Sequence, residues 1–286
     1  MLQYIARRIV MMIPTLFLVS IVAFIIIQLP PGDYLTSYIT QLSSMGDLVD
    51  ESAIQALRDR YGLGQPIYIQ YLRWITNMLQ GDFGHSMEWN RPVWDLLWER
   101  LPLTFVLSLA TLLVTWIVAF PIGVFSAVKQ YSIGDYIATF IGFLGLATPD
   151  FLLALVLMWV IFAFFNQSVG GLFSPDFQDA PWSLAKVWDL AKHLVVPMII
   201  LGASGTASLI RVMRANLLDE LHKPYVVTAR SKGLSEPRLL LKYPVRAALN
   251  PFISTAGWYL PALVSGSTIV AVVLNLPITG PLLLRA

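Results

Sequence analysis

Residues 9–28 read IVMMIPTLFLVSIVAFIIIQ, twenty consecutive residues without a charge. A helix rising about 1.5 Å per residue needs roughly that length to cross a hydrocarbon core about 30 Å thick. Arg7 and Arg8 stand before the run and Pro30-Pro31-Gly32 after it. A secretory signal would carry a shorter apolar run and a small-residue cleavage site, so the stretch reads as a retained anchor. Working outward, four further spans are expected at 101–128, 136–165, 194–210 and 252–276. The fourth is short and Gly-rich, and its Gly202, Gly205 and Ala207 suit close helix packing in lipid. The expected fold is all-α: a polytopic helical bundle with five spans present.

Composition supports this reading. Of 286 residues, 57% are apolar and only 13% charged, where a soluble domain carries about 25% charged residues. The mean hydropathy is +0.68. A soluble globular domain and a disordered chain are both excluded. There is no cysteine, which removes disulfide frameworks, thiolate zinc sites and thiol nucleophiles. Three scattered histidines, at 85, 193 and 222, do not make a metal site.

The net charge of +2 says little as a sum, but its distribution orients the chain. Arg7 and Arg8 put the N-terminus in the cytoplasm. Residues 29–100 then lie outside, with five Arg and nine acids. Residues 129–135, with Lys129, return inside, and 166–193 lie outside. Residues 211–250 lie inside, with eight Lys or Arg against three acids. Three regions follow: 1–28, the N-terminus and first span; 29–100, an extracytoplasmic helical segment; and 101–286, a core carrying the cytoplasmic loop 211–250.

The outer segment is expected to form helices over 51–61 and 67–80, stopped by Gly62 and Gly81. Trp94, Leu97 and Trp98 share one face of a short amphipathic stretch ahead of the second span, as interfacial tryptophans do. This segment is either a structural cap or a docking surface. In the inner loop, Pro224 can start a helix through 225–232, Gly233 supplies a left-handed C-cap, and Ser235 can cap a second helix over 237–249. Leu217, Leu221 and Tyr225 share helical spacing, as do Leu234, Leu241 and Val245 more loosely. That stripe either packs on the bundle's inner end or fills a groove on a cytoplasmic partner.

The run Tyr225-Val-Val-Thr-Ala-Arg-Ser-Lys-Gly-Leu234 resembles the coupling loop of permease subunits of binding-protein-dependent ABC importers, the dipeptide/oligopeptide family in particular. Against the general Glu-Ala-Ala, three residues, Gly pattern, Val227 takes the Glu position and Thr228 the first Ala, while Ala229 and Gly233 match. The peptide branch, with Thr-Ala-Arg-x-Lys-Gly-Leu, fits better. Tyr61-Gly-Leu-Gly-Gln-Pro66, Gly81-Asp-Phe-Gly-His-Ser86 and Arg100-Leu-Pro-Leu-Thr104 follow in the family's order. Family members usually have six spans, and Leu276-Pro-Ile-Thr-Gly-Pro281 occupies the turn before the last, so the resemblance implies a type I ABC importer permease-like bundle with a sixth span expected beyond residue 286.

The resemblance implies a non-catalytic transport subunit of a bacterial plasma (inner) membrane that moves peptides by alternating access. The same branch moves oligosaccharides or nickel complexes. No Gly-x4-Gly-Lys-Ser/Thr phosphate loop occurs in the chain, so this chain holds no cofactor. ATP and Mg would sit on two separate ATP-binding subunits, whose groove receives 225–235. A second homologous permease, an extracytoplasmic solute-binding protein and the lipid bilayer complete the implied partners. No nucleic acid is implied, because positive-inside topology already explains the basic loop. The implied coupling residues are Tyr225, Thr228, Ala229, Arg230, Lys232, Gly233 and Leu234.

Asp150 is the one charged residue deep inside an expected span. A central Asp costs about 2.5–3.5 kcal/mol to insert and should face protein or water. With Pro149 and Gly145 it is a candidate for the translocation path, favouring a cationic group such as a peptide amino terminus. The alternative is a hydrogen bond within the bundle, or a position near the outer surface if the span is shifted. Pro149 cannot donate a backbone hydrogen bond and should leave the Gly145 carbonyl free, and a span of 30 residues, about 45 Å long if straight, has room to kink, tilt or extend beyond the bilayer. Two rival functions have weaker support in the sequence. Gly202-Ala-Ser-Gly205 resembles the nucleophile motif of rhomboid intramembrane serine proteases, but the fifth span holds no histidine to act as base. A secondary transporter needs midplane ion-coupling groups and often internal repeats, and the chain offers one acid and no repeat.

Overall fold

The computed structural model describes residues 2–29, 64–86, 88–167, 169–266 and 268–285. The helix expected over 51–61 lies outside the described residues. The chain forms two compact units, Met1–Leu96 and Leu97–Ala286.

In the first unit, α1 (Leu2–Gln28) contains the twenty-residue run and is exposed along almost its whole length. Its buried residue is Phe24, which meets Tyr71 and Trp74 of α2 (Ile67–Leu79) at ring distances of 5.5 and 5.7 Å. The Ser20 and Tyr71 hydroxyls lie 2.8 Å apart. The second helix ends where expected, with Gly81 at φ +86° just beyond its last turn. A two-residue antiparallel pair, β1 (His85–Ser86) with β2 (Arg91–Pro92), follows. It leads into α3 (Val93–Val128), so Trp94 and Trp98 open the long helix itself instead of a separate amphipathic stretch.

The second unit is organised around α6 (Leu184–Leu221), 38 residues long and well beyond the expected 194–210. The helix α3 meets α6 through small and hydroxyl side chains. Thr104, Ser108, Thr111 and Thr115 recur every three or four residues and are all buried; Thr111 and Thr115 face Gly202 of α6, while the Thr104 hydroxyl lies 3.2 Å from that of Thr279 and accepts from its N–H. A Cβ added at Gly202 would stand 3.0 Å from the Thr115 Oγ1, and one at Gly123 would stand 2.7 Å from the Met213 Cβ. Without a hydrophobic drive between helices in lipid, such close approach supplies the packing energy. Gly202, Gly205 and Ala207 are buried as expected.

The third expected span is not one helix. It is α4 (Ile133–Ala147) and α5 (Asp150–Phe165), bent by 105° at Thr148-Pro149. Proline lacks an N–H and its ring disfavours helical backbone at the residue before it. Thr148 is accordingly extended, at φ −88° and ψ 121°. One continuous span with room to kink, tilt or extend is the expectation from sequence; the helix instead breaks, leaving halves of 15 and 16 residues, neither long enough to cross alone.

After α6 come α7 (Pro224–Ser231), α8 (Glu236–Lys242), α9 (Pro244–Gly266), α10 (Thr268–Val273) and α11 (Thr279–Arg285). Among the described residues, α1, α3 and α6 are long and apolar enough to cross a membrane, and α4 with α5 makes a fourth where the bent pair crosses as one span. The fifth expected span falls on α9 and α10, where Asn250, Ser254, Thr255 and Gly257 dilute the apolar character. One core cluster joins α3, α5, α6 and α10 around Leu107, Ile200 and Leu274. A second joins α3, α6 and α9 around Met213, Leu217 and Phe252.

Candidate coupling site

The long α6 ends at Leu221, and after two intervening residues Pro224 opens α7. Proline suits a first helical turn because its missing N–H would have had no partner there. Glu220 ties the two helices. It accepts from the Lys223 Nζ at 2.6 Å and from the Tyr225 hydroxyl. Burial, followed by the Glu220 carboxylate, pushes the Tyr225 hydroxyl up to about 12, so it stays a donor.

The next turn is closed by Gly233 at φ +78°, a conformation that costs other L-residues about 1–2 kcal/mol. A Cβ there would meet nothing within 4 Å, so the constraint is backbone strain and not space. The Gly233 N–H donates to the Arg230 carbonyl at 3.0 Å. Arg230 spans the turn and pairs with Glu236 through two guanidinium nitrogens, which holds that carboxyl below its usual range.

Val226 and Ala229 face inward onto Leu239 of α8, with Leu234 against them. This small core makes the helix–turn–helix one body. The outward face carries Val227, Thr228, Ser231, Arg230 and Lys232, all exposed. Of the expected coupling residues, Tyr225, Thr228, Arg230, Lys232 and Gly233 are therefore at the surface. Ala229 is buried and Leu234 half-buried, so whatever they contribute goes through packing.

The second helix is shorter than the expected 237–249. It stops at Lys242, because Pro244 starts a new helix and Tyr243 leaves helical geometry at φ −119° and ψ −80°. The apolar stripe divides. Leu217 and Val245 are buried in the bundle's own core, and Leu221 packs against it. Leu241 stays 63% exposed and Val227 54% exposed.

The three path candidates lie around the α4–α5 break. Asp150 is the first residue of α5 and Pro149 precedes it. Asp150 is half-buried and has no hydrogen-bond or ion-pair partner among the described residues. An acid in the first turn is favoured by the helix dipole. Gly145 sits one turn earlier, on the face of α4 that meets α6. A Cβ there would lie 3.3 Å from the Ala203 carbonyl.

One pair escaped the sequence reading. Asp135, buried, receives the Arg214 Nε at 3.0 Å and a second guanidinium nitrogen at 2.9 Å. The Tyr131 N–H donates to the same carboxylate at 3.0 Å, and the Ser132 hydroxyl accepts from the Asp135 N–H. This clamp joins the start of α4 to the lower part of α6. The Ser-x-x-acid spacing of a helix start was the one available signal; its partner is 79 positions away. The protease motif gains no base: Ser204 and His193 are 11 residues apart on the unbroken α6, about 16 Å along its axis.

Two family profiles match the chain. "Binding-protein-dependent transport system inner membrane component" covers residues 119–286, and the corresponding N-terminal membrane-component profile covers 1–110. The oligopeptide transport system permease protein AppB of Bacillus subtilis is 37% identical over 99% of this chain and 86% of its own length. The glutathione transport system permease protein GsiC of Escherichia coli K12 is 33% identical over 99% of this chain and 86% of its own. A putative peptide permease of Brucella ovis is 32% identical over the whole chain and 87% of its own. With its apolar helices and the rigid helix–turn–helix beyond α6, the chain belongs to the binding-protein-dependent transport system inner membrane components, as a permease subunit of the ABC-importer type.

Proposed function

We propose that this chain forms part of the translocation path of an ATP-driven importer for peptides. Its N-terminus would be in the cytoplasm and α7–α8 docked on an ATP-binding subunit. The observation that supports this best is the α7–α8 body. It has its own small core and an outward face of Val227, Thr228, Arg230 and Lys232, and it is continuous through Glu220 with the 38-residue α6. A rigid element on the end of a long helix can transmit ATPase closure as a rigid-body movement. The relatives named for oligopeptide and glutathione transport favour peptides over oligosaccharides or nickel complexes. The proposed assembly is a second homologous permease, two ATP-binding subunits holding ATP and Mg, and an extracytoplasmic binding protein. Native mass spectrometry of gently purified complexes tests it. A mass holding these partners is expected; a homo-oligomer without an ATPase would overturn the reading.

Gly233 carries the coupling prediction. Gly233→Val places a β-branched residue at φ +78° and should disfavour the turn by a factor of about 5–30. Peptide uptake in reconstituted vesicles should fall with it, while ATP hydrolysis persists. Gly233→Asn, which tolerates left-handed backbone, should retain most uptake. Equal uptake by the Val and Asn variants would count against the assignment.

Asp150 is proposed to face the path and favour a cationic group. Its lack of a partner at the break between two half-helices supports this, since an unpaired acid at membrane depth needs water or a ligand. Asp150→Asn should lower uptake of peptides with a free amino terminus more than that of N-acetylated ones. Equal reduction of both would sink the idea.

A further inference from the structure

An open cleft of about 280 Å³ lies between α4 and α6, beside the turn that joins α3 to α4. It is graded along its length. Its mouth holds Arg211, Arg214, Tyr131 and Tyr136, and its depth is walled by Phe143 and Leu146. From Asp135 at the mouth to Leu146 is 11 residues of helix, about 16 Å.

The charges at the mouth are unequal. Arg214 is neutralised by the Asp135 clamp. Arg211 is exposed, lies 5.8 Å over the Phe143 ring, and has no carboxylate partner among the described residues. Lys129 on the adjoining turn is also exposed. The mouth therefore carries uncompensated positive charge beside an apolar wall, with Tyr131 and Tyr136 next to it, and tyrosine is a side chain enriched at membrane–water interfaces.

We propose that this cleft holds an anionic phospholipid, its phosphate on Arg211 and one acyl chain along Phe143 and Leu146. A guanidinium presents a planar fork of donors that matches a phosphate. A basic pocket between membrane helices, open to hydrocarbon below, is the chemistry that selects anionic headgroups. In the orientation proposed above, the lipid comes from the cytoplasmic leaflet.

The test uses the assembled transporter in nanodiscs of equal phosphatidylglycerol and phosphatidylcholine, extracted into mild detergent, with retained lipid counted by mass spectrometry. Phosphatidylglycerol should be enriched over phosphatidylcholine on the wild type. Arg211→Gln should reduce that enrichment about tenfold, the effect of one charge-assisted contact. Arg211→Lys should keep part of it, and Arg238→Gln, on exposed α8, should leave it unchanged. Undiminished enrichment in Arg211→Gln overturns the proposal, as does an equal loss in Arg238→Gln. Displacement of the lipid by millimolar inorganic phosphate would make the site one for free phosphate. Disulfide capture of Phe143→Cys by a cysteine on the companion permease would make it a subunit interface. Either result also overturns the proposal.

Discussion

Arg214→Ala is expected to destabilise the bundle by about 3 kcal/mol, the low end for breaking a buried ion pair. The cost lies less in the lost attraction than in what is left behind. Asp135 is buried and accepts from two guanidinium nitrogens and one backbone N–H. Without Arg214 the carboxylate must stay charged with one donor or take up a proton. Arg214 itself is partly exposed, which places the effect at the lower bound. The paired change Asp135→Leu with Arg214→Met should recover most of the stability, because replacing both members by apolar side chains removes the desolvation cost along with the attraction. Thermal unfolding of the purified complex in detergent reads both. A single variant within about 1 kcal/mol of wild type would show that the clamp is solvated.

Gly123→Leu is the second large effect. The backbone of α3 approaches α6 so closely here that a bare Cβ would stand 2.7 Å from the Met213 Cβ and 3.1 Å from the Ile210 carbonyl. A carbonyl on a regular helix cannot step aside, so the helices must separate. Overpacking of this kind costs about 1–3 kcal/mol, and the shift would spread to the Thr111 and Thr115 contacts with Gly202. Gly257→Ala on α9 is the control. A Cβ there meets nothing within 4 Å, so the change should be neutral or stabilise by up to about 1 kcal/mol through helix propensity. Melting temperatures that move equally for the two would contradict the close-approach account.

The division between what was legible and what was not follows the range of each interaction. The uninterrupted run 9–28, the charge alternation between loops and the Pro224–Gly233 turn are local patterns. Each rests on a property of neighbouring residues: transfer free energy, net charge per loop, and the φ that proline fixes or glycine permits. These placed the all-α bundle and the coupling turn in the chain before any coordinates. The break at Thr148-Pro149 was half visible. Proline announces a disrupted helix, but whether it bends or breaks depends on what the following half packs against, here the core shared by Ala154, Ile200 and Ala271.

The rest required the tertiary structure. Leu217 and Val245 look like members of one docking stripe with Leu241, yet the first two are buried in the bundle and the last is exposed. Helical spacing states which residues share a face and not what that face meets. Arg211 and Arg214 are alike in sequence, two basic residues one turn apart. Only folding brings Asp135 to Arg214 across 79 positions and leaves Arg211 over a phenylalanine ring. By itself the sequence determined the membrane-spanning class and the position of the Pro224–Gly233 turn, because hydrophobicity and backbone preference act over a few residues. Which charges are paired, which glycines are pinned and which apolar residues remain for a partner were decided by tertiary contacts, because those depend on chain segments that meet only in space.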